Sequence, residues 1–147
     1  MDFSLWKDAA TIADKAIQSG ALQSLNTSLT SASDAQLSFH IHQLSLLAKK
    51  PTSSKGKHPI INPFLPHDPA LYIGDIGSKH KCLLNKYNVL DDHLLLVTKA
   101  FEEQQSVLTL EDFSALQLCM SDRPALAFYN SGAKAGASQQ HKHLQLI

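Results

Sequence analysis

Asn130-Ser131-Gly132-Ala133-Lys134-Ala135-Gly136-Ala137-Ser138-Gln139-Gln140-His141-Lys142-His143-Leu144-Gln145-Leu146-Ile147 is a loop of small residues running into alternating His, His and Gln. An extended segment from His141 onward places His141, His143 and Gln145 on one face, with Lys142, Leu144 and Leu146 on the other, because side chains alternate along a strand. The loop carries two glycines, three alanines and two serines within nine residues, so its amides are little shielded. Successive free N–H groups of that kind form an anion nest, and His143 follows just downstream. A phosphate bound there meets an imidazole.

Imidazole suits attack on phosphorus: it is substantially neutral at physiological pH, attacks through nitrogen and leaves readily from the phosphoramidate it forms. The spacing alone leaves two other uses open. A His-x-His pair on a strand is able to bind a metal, although Gln145 is a poor third ligand for zinc and no carboxylate lies close in sequence. Two histidines beside a surface loop also serve structure alone, since short motifs often match by chance.

Working outward, 147 residues with 44% hydrophobic and 18% charged content suffice for one core and one domain. Thirteen basic and thirteen acidic residues cancel, so nothing steers the chain toward nucleic acid or membrane, and any attraction for anions has to be local. Cys82 and Cys119 are too few for a secreted disulfide scaffold and lack the adjacent partner of a metal or redox motif. Cys119 sits in an apolar helical stretch, where packing is its expected role. Met1-Asp2-Phe3-Ser4 leads into an amphipathic helix rather than a signal peptide or membrane span, and cytoplasm is the expected compartment.

Leu5, Trp6, Ala9, Ile12, Ala13, Ala16 and Ile17 recur at helical spacing until Ser19-Gly20, predicting a first helix with Trp6 anchored onto the sheet. Gln23 to Gln36, rich in Ser, Thr and Asn, reads as a loop with room for short strands. His40 and His42, flanked by Phe39, Ile41 and Leu44, suit a strand with both rings in solvent. Residues 71–76, 81–85 and 93–98 read as strands. Thr109-Leu110-Glu111-Asp112 resembles a capping box opening a helix that ends near Asp122-Arg123-Pro124, and residues 125–130 form a strand delivering Asn130 to the loop. The order predicts an α+β fold, an antiparallel sheet with helices packed on it.

Residues 49–58, Lys49 to His58, form a polar basic linker. Its composition fits a surface loop. It also fits a flap whose lysines, Lys55 first among them, meet a polyphosphate as point charges.

The closing segment resembles the signature of the histidine triad superfamily. Its His-x-His-x-Gln form resembles the branch of galactose-1-phosphate uridylyltransferase and the diadenosine tetraphosphate phosphorylases (ATP adenylyltransferases), whereas the hydrolases of the superfamily carry a third His. The similarity to the phosphorylases extends upstream over roughly residues 55 to 147, through Asn62-Pro63-Phe64-Leu65-Pro66, Cys82-Leu83-Leu84-Asn85-Lys86-Tyr87 and the segment from His93 to Gln104. Several linked motifs are far more specific than one.

The resemblance implies a nucleotidyltransferase of histidine-triad-like fold. In it His143 takes up AMP, His141 orients or polarises the site, and Gln145 hydrogen-bonds phosphoryl oxygens or the nucleophile's surroundings. Asn130, Gly136, Ser138 and Gln139 match phosphate-contacting loop positions, and Asn85 matches a ribose-contacting one. A neutral amide at Gln145 cannot shuttle a proton, and acid–base groups are worth about 10²–10⁴ in rate, which favours transfer onto anionic phosphate over hydrolysis. The implied ligands are diadenosine tetraphosphate, ATP, ADP and inorganic phosphate. Magnesium would arrive on the substrate's own phosphate oxygens, with no metal site in the protein. Hydrolysis and silent nucleotide binding are the alternatives.

Two positions depart from the family pattern: Asn88 replaces a Pro, and Asp91-Asp92 replace a Pro or Gly before His93. Both lie in a turn that Asn and Asp side chains can support. Members of the resembled family are about twice this length, so the chain is expected to be a single N-terminal domain of a longer enzyme, with activity alone in question. An open edge along its last strand would then invite a second copy or a C-terminal segment to pair with it.

Overall fold

The computed structural model describes residues 4–25, 27–44 and 61–147. The linker 49–58, with Lys55, lies outside the described residues. Helix α1 spans Leu5–Ser19 and stops at Gly20, whose φ of 76° is a left-handed value that glycine adopts without penalty. A hairpin of β1 (Thr27–Asp34) and β2 (Leu37–Leu44) follows. The polar run from Gln23 is therefore more ordered than its composition suggests: eight ladder pairs, from Thr27 with Leu44 to Asp34 with Leu37, override weak strand propensity. His40 is exposed on this hairpin, as expected.

The main sheet contains β3 (Tyr72–Ile76), β4 (His80–Leu84), β5 (Leu94–Thr98), β6 (Ala127–Phe128) and β7 (His143–Leu146) in the order β3-β4-β5-β7-β6, every pair antiparallel. Helix α2 (Leu110–Cys119) begins with the expected capping box: Thr109 and Asp112 each bond the other's backbone amide. It ends three residues before Asp122, because the Met120 amide closes onto Leu116 and Leu118.

Strand β7 decides where the chemistry points. His143 pairs with Val97, Leu144 with Leu96, Gln145 with Leu95 and Leu146 with Leu94. Leu94, Leu96, Leu144 and Leu146 pack with α1 and α2 residues in the main core, and burying each leucine is worth roughly 1.5–3 kcal/mol. A one-residue slip would drive the polar side chains into that core. The leucines thus hold His143 and Gln145 on the opposite face, where Phe64, Leu83, Leu95 and Val97 form a smaller apolar cluster.

Three expectations need correction. His141 precedes β7 and sits in an isolated bridge to Glu103 instead of a continuous strand. The strand expected over 125–130 is only two residues long. The last strand is not an open edge: β5 and β6 flank it, and Ile147 and Leu126 exchange both backbone hydrogen bonds. Trp6 is an anchor, but its Nε1 donates to the Cys119 carbonyl at the end of α2, while Arg123 lies over its ring. Among the described residues no helix is long and apolar enough to cross a membrane.

Candidate active site

The face of the sheet opposite the main core forms the floor of a cleft of about 600 Å³. One wall is the segment from Pro63 to Asp68 and the other is the loop from Gly136 to Gln139. His143, Gln145, Asn85, Asn130, Gly136, Ser138 and Gln139 all line it, so among the described residues every sequence-selected one except His141 is brought to one cavity.

His143 is almost wholly buried, and its Nδ1 lies 2.8 Å from the His141 carbonyl oxygen. A carbonyl only accepts, so Nδ1 carries the hydrogen and Nε2 keeps the lone pair. Nε2 makes no hydrogen bond among the described residues. Burial lowers the ring's pKa, with the His141 bond opposing in part, so the neutral form prevails near pH 7. Phe64 packs against both imidazoles, at 5.4 Å from His143 and 5.7 Å from His141.

His141 does not reach the cleft. Its Nε2 donates to the carbonyls of Thr98 at 2.9 Å and Ala100 at 3.1 Å, so Nδ1 must accept, and Asn62 Nδ2 stands 3.0 Å away to donate. Asn62 has no freedom to flip, because its Oδ1 takes the Phe64 amide at 3.0 Å. Burial is again the first cause of a lowered pKa. The ring is saturated, and His141 acts on His143 through its backbone carbonyl.

Gln145 Oε1 accepts from His93 Nε2 at 2.9 Å. Asn85 Nδ2 lies 3.3 Å from both His93 nitrogens, and its Oδ1 takes the Tyr87 amide at 3.4 Å. Asn85, selected as a ribose contact, thus also braces His93.

The loop differs in detail from the expected nest. The amides of Ala135, Gly136 and Ala137 turn inward onto the carbonyls of Gly132 and Ala133. Of the cleft-lining residues from Gly136 to Gln139, Ser138 and Gln139 are the two whose amides meet no backbone acceptor among the described residues. Gly136 is needed for its φ of 97° rather than for space, since a Cβ there would meet Asn130 Nδ2 at an ordinary 3.7 Å.

Three residues of the site carry no expected role: Asn62, His93 and Gln104. Buried Gln104 gives its Oε1 to the His143 amide at 2.8 Å and its Nε2 to the His143 carbonyl at 3.1 Å and the Asn130 carbonyl at 2.7 Å. One side chain thereby holds both ends of the His-to-loop segment. The available signal was repetition: Asn62-Pro63-Phe64 and Asn85-Lys86-Tyr87 are both Asn-x-aromatic, and in both the Asn accepts from the amide two residues on, an Asx turn.

Behind the sheet, Lys142 Nζ bonds Asp112 Oδ2 at 2.6 Å and Glu102 Oε2 at 3.3 Å, and His80 Nε2 lies 2.8 Å from Asp112 Oδ1. Burial opposes the Asp112 charge, but Lys142, the Thr109 amide and His80 overcome it and hold the pKa at about 2. In the departing turn, Asn88 does bond the Leu90 carbonyl at 3.0 Å. Asp92 instead takes φ 58° and pairs with Arg123 at 2.7 Å. Cys82 and Cys119 are buried and unpaired, and burial pushes the Cys119 thiol up to about 12. Among the described residues no three His, Cys, Asp or Glu side chains come together as metal ligands.

Comparison with known proteins meets this geometry. The family profile of the Ap4A phosphorylase N-terminal domain matches residues 2–147. Protein APA1 of Saccharomyces cerevisiae is 33% identical over 158 residues, taking in 95% of this chain and 48% of that protein. Diadenosine 5',5'''-P1,P4-tetraphosphate phosphorylase 2 of the same yeast is 37% identical over 113 residues, or 68% of this chain and 34% of that one. The crystal structure of yeast Ap4A phosphorylase Apa2 in complex with AMP superposes with a TM-score of 0.80 at 29% identity, over 97% of this chain and 49% of its own. The Apa2 complex with Ap4A gives 0.80 at 28% identity, over 100% and 52%. The chain spans about half or less of the length of these relatives. With its full described length accounted for by that profile and that fold, this chain belongs to the Ap4A phosphorylase family, as its N-terminal domain.

Proposed function

We propose that this domain carries the nucleotidyl-transfer centre of a diadenosine tetraphosphate phosphorylase, with His143 as the nucleophile. Nε2 of His143 attacks an α-phosphorus of the dinucleotide, the N–P bond forms, and the bridging P–O bond breaks to release ATP. Attack leaves an imidazolium that still carries hydrogen on Nδ1, and the His141 carbonyl 2.8 Å away stabilises that charge. An oxygen of inorganic phosphate then attacks the same phosphorus, the N–P bond breaks and ADP leaves. Both leaving groups are stable without added protons, so a non-titrating Gln145 suffices where attack by water would want a base to take its proton.

Asn130, Ser138 and Gln139 hold the phosphoryl oxygens in this scheme, with the turn at Gly136 aiming the free amides. The nucleoside takes the apolar part of the cleft near Leu83, Leu95 and Phe128, with Asn85 at the ribose. Magnesium would enter on the polyphosphate, whose own oxygens ligate it. Lys55 supplies point charge to the polyphosphate, and unchanged activity after its neutralisation would remove it from the scheme. A cytoplasmic location accords with two buried, unpaired thiols. The yeast relatives whose names and complexes carry Ap4A and AMP support this choice of substrate.

The carrying observation is the locked tautomer of His143 in the cleft. Incubation with diadenosine tetraphosphate is expected to leave an acid-labile AMP adduct on His143 that phosphate discharges as ADP. Wild-type turnover by His143→Ala would overturn the assignment, and product analysis with and without phosphate distinguishes phosphorolysis from hydrolysis.

A further inference from the structure

His93 stands 52 residues before Gln145 and meets it across the cleft floor, Nε2 to Oε1, at 2.9 Å. The Asn85 amide nitrogen beside the ring is a donor and supplies no acceptor for a His93 hydrogen. The single hydrogen of the neutral ring is thus the one directed at Gln145. With one lone pair of Oε1 taken by His93 and the amide's rotation thereby fixed, the half of Gln145 left without a partner among the described residues is its NH₂ group, which only donates.

We propose that His93 is a positioning residue that sets the hydrogen-bonding polarity of Gln145 and thereby selects ionised phosphoryl oxygens over water as the group seated beside His143. A free Gln145 would rotate its amide and present either end. Its carbonyl oxygen could then accept from a water molecule and orient it toward the phosphorus. Held by His93, Gln145 keeps its NH₂ group fixed in place as a donor, which suits an oxyanion that has acceptors and no hydrogens to give. At the fixed NH₂ end a water finds a donor where an acceptor would be needed to orient it, and a carboxylate or phosphate oxygen gains a donor. The same logic operates at Asn62 and His141, where an Asx-turn amide fixes an imidazole; here an imidazole fixes an amide.

The inference rests on the proposed phosphoryl-binding role of the cleft, and its test needs no turnover. Binding of AMP and of inorganic phosphate is measured by calorimetry for the wild type, His93→Phe and His93→Gln, with thermal melts as a check on folding. Phe fills the space without a donor, and Gln restores an N–H at similar reach. His93→Phe is expected to bind phosphate about tenfold more weakly, with recovery to within about threefold in His93→Gln. A purely structural role would not be rescued by Gln. In the unmutated protein, nitrogen-15 spectra of the imidazoles are expected to show His93 as the Nε2–H tautomer, a measurement that stands even where His93→Phe fails to fold. A predominant Nδ1–H tautomer, or phosphate affinity unchanged in a folded His93→Phe, overturns the role of His93 and leaves the His143 assignment intact. Absence of AMP and phosphate binding in the wild type overturns the cleft assignment, and this inference with it.

Discussion

The backbone carbonyl of His141 lies 2.8 Å from Nδ1 of His143. A residue whose own ring never enters the cleft therefore chooses which nitrogen of its neighbour is free. The His-x-His spacing works here by placing a carbonyl rather than by placing two rings on one ligand.

Asn62 controls the His141 ring, and substitutions there separate hydrogen-bond direction from mere contact. Asn62→Leu leaves Nδ1 of a buried imidazole without a donor, at a cost of about 1–3 kcal/mol. Asn62→Asp replaces a donor with an acceptor, so His141 gains a reason to hold a second proton. The expected outcome is an upward move of the His141 pKa in Asn62→Asp, followed by NMR titration; no movement would count against the assigned tautomer.

Gln104→Leu should destabilise the domain by about 2–4 kcal/mol, since it strips the partners from a buried amide and two carbonyls at His143 and Asn130. It should also slow formation of the AMP adduct more than it weakens AMP binding, because the strand end that aims His143 loosens. Urea unfolding and single-turnover labelling measure the two effects.

Asp112→Asn removes the nearer and more buried of the two carboxylates that pair with a fully buried Lys142, leaving only Glu102 at 3.3 Å. Leaving one member of a buried pair behind costs about 3–5 kcal/mol. The paired change Asp112→Leu with Lys142→Met should recover most of that loss, and a double variant as unstable as the single one would refute the explanation.

Stability should fall on acidification in two windows. His93, His141 and His143 are all lowered below 6.5, burial being the first cause in each. The unfolded chain binds those protons more readily, so their contribution is complete above pH 6.5 and is lost as pH drops below it. Asp112, lowered from 3.8 to about 2, adds a second loss between those values. Adduct formation should fall off at a lower pH than a free imidazole would dictate, because burial holds the His143 pKa below its ordinary value. A urea midpoint unchanged between about pH 7.5 and 5 would contradict the histidine part.

Much of the frame was readable before folding. The alternation from Lys142 to Leu146 predicts which side of the sheet bears His143, since leucines at every second position have one place to go. The capping box at Thr109 and the glycine after Ser19 mark helix ends through chemistry confined to one turn. The alternation at His40 and His42 marks β2, but its pairing with β1 was not legible, because the serines and threonines of β1 carry little strand signal and the ladder itself holds the hairpin together.

Local pattern, in short-range terms, was enough for the faces of the strand and for the helix caps at Thr109 and Gly20, for each depends on neighbours a few residues apart. The tautomer of His141, the polarity of Gln145 and the interior position of the last strand depend on Asn62, His93 and β6. These meet their partners only after the sheet closes, with Asn62 lying 79 residues from His141 and His93 lying 52 from Gln145. Hydrogen-bond direction is a property of both partners at once, and no spacing rule along the chain brings such partners together.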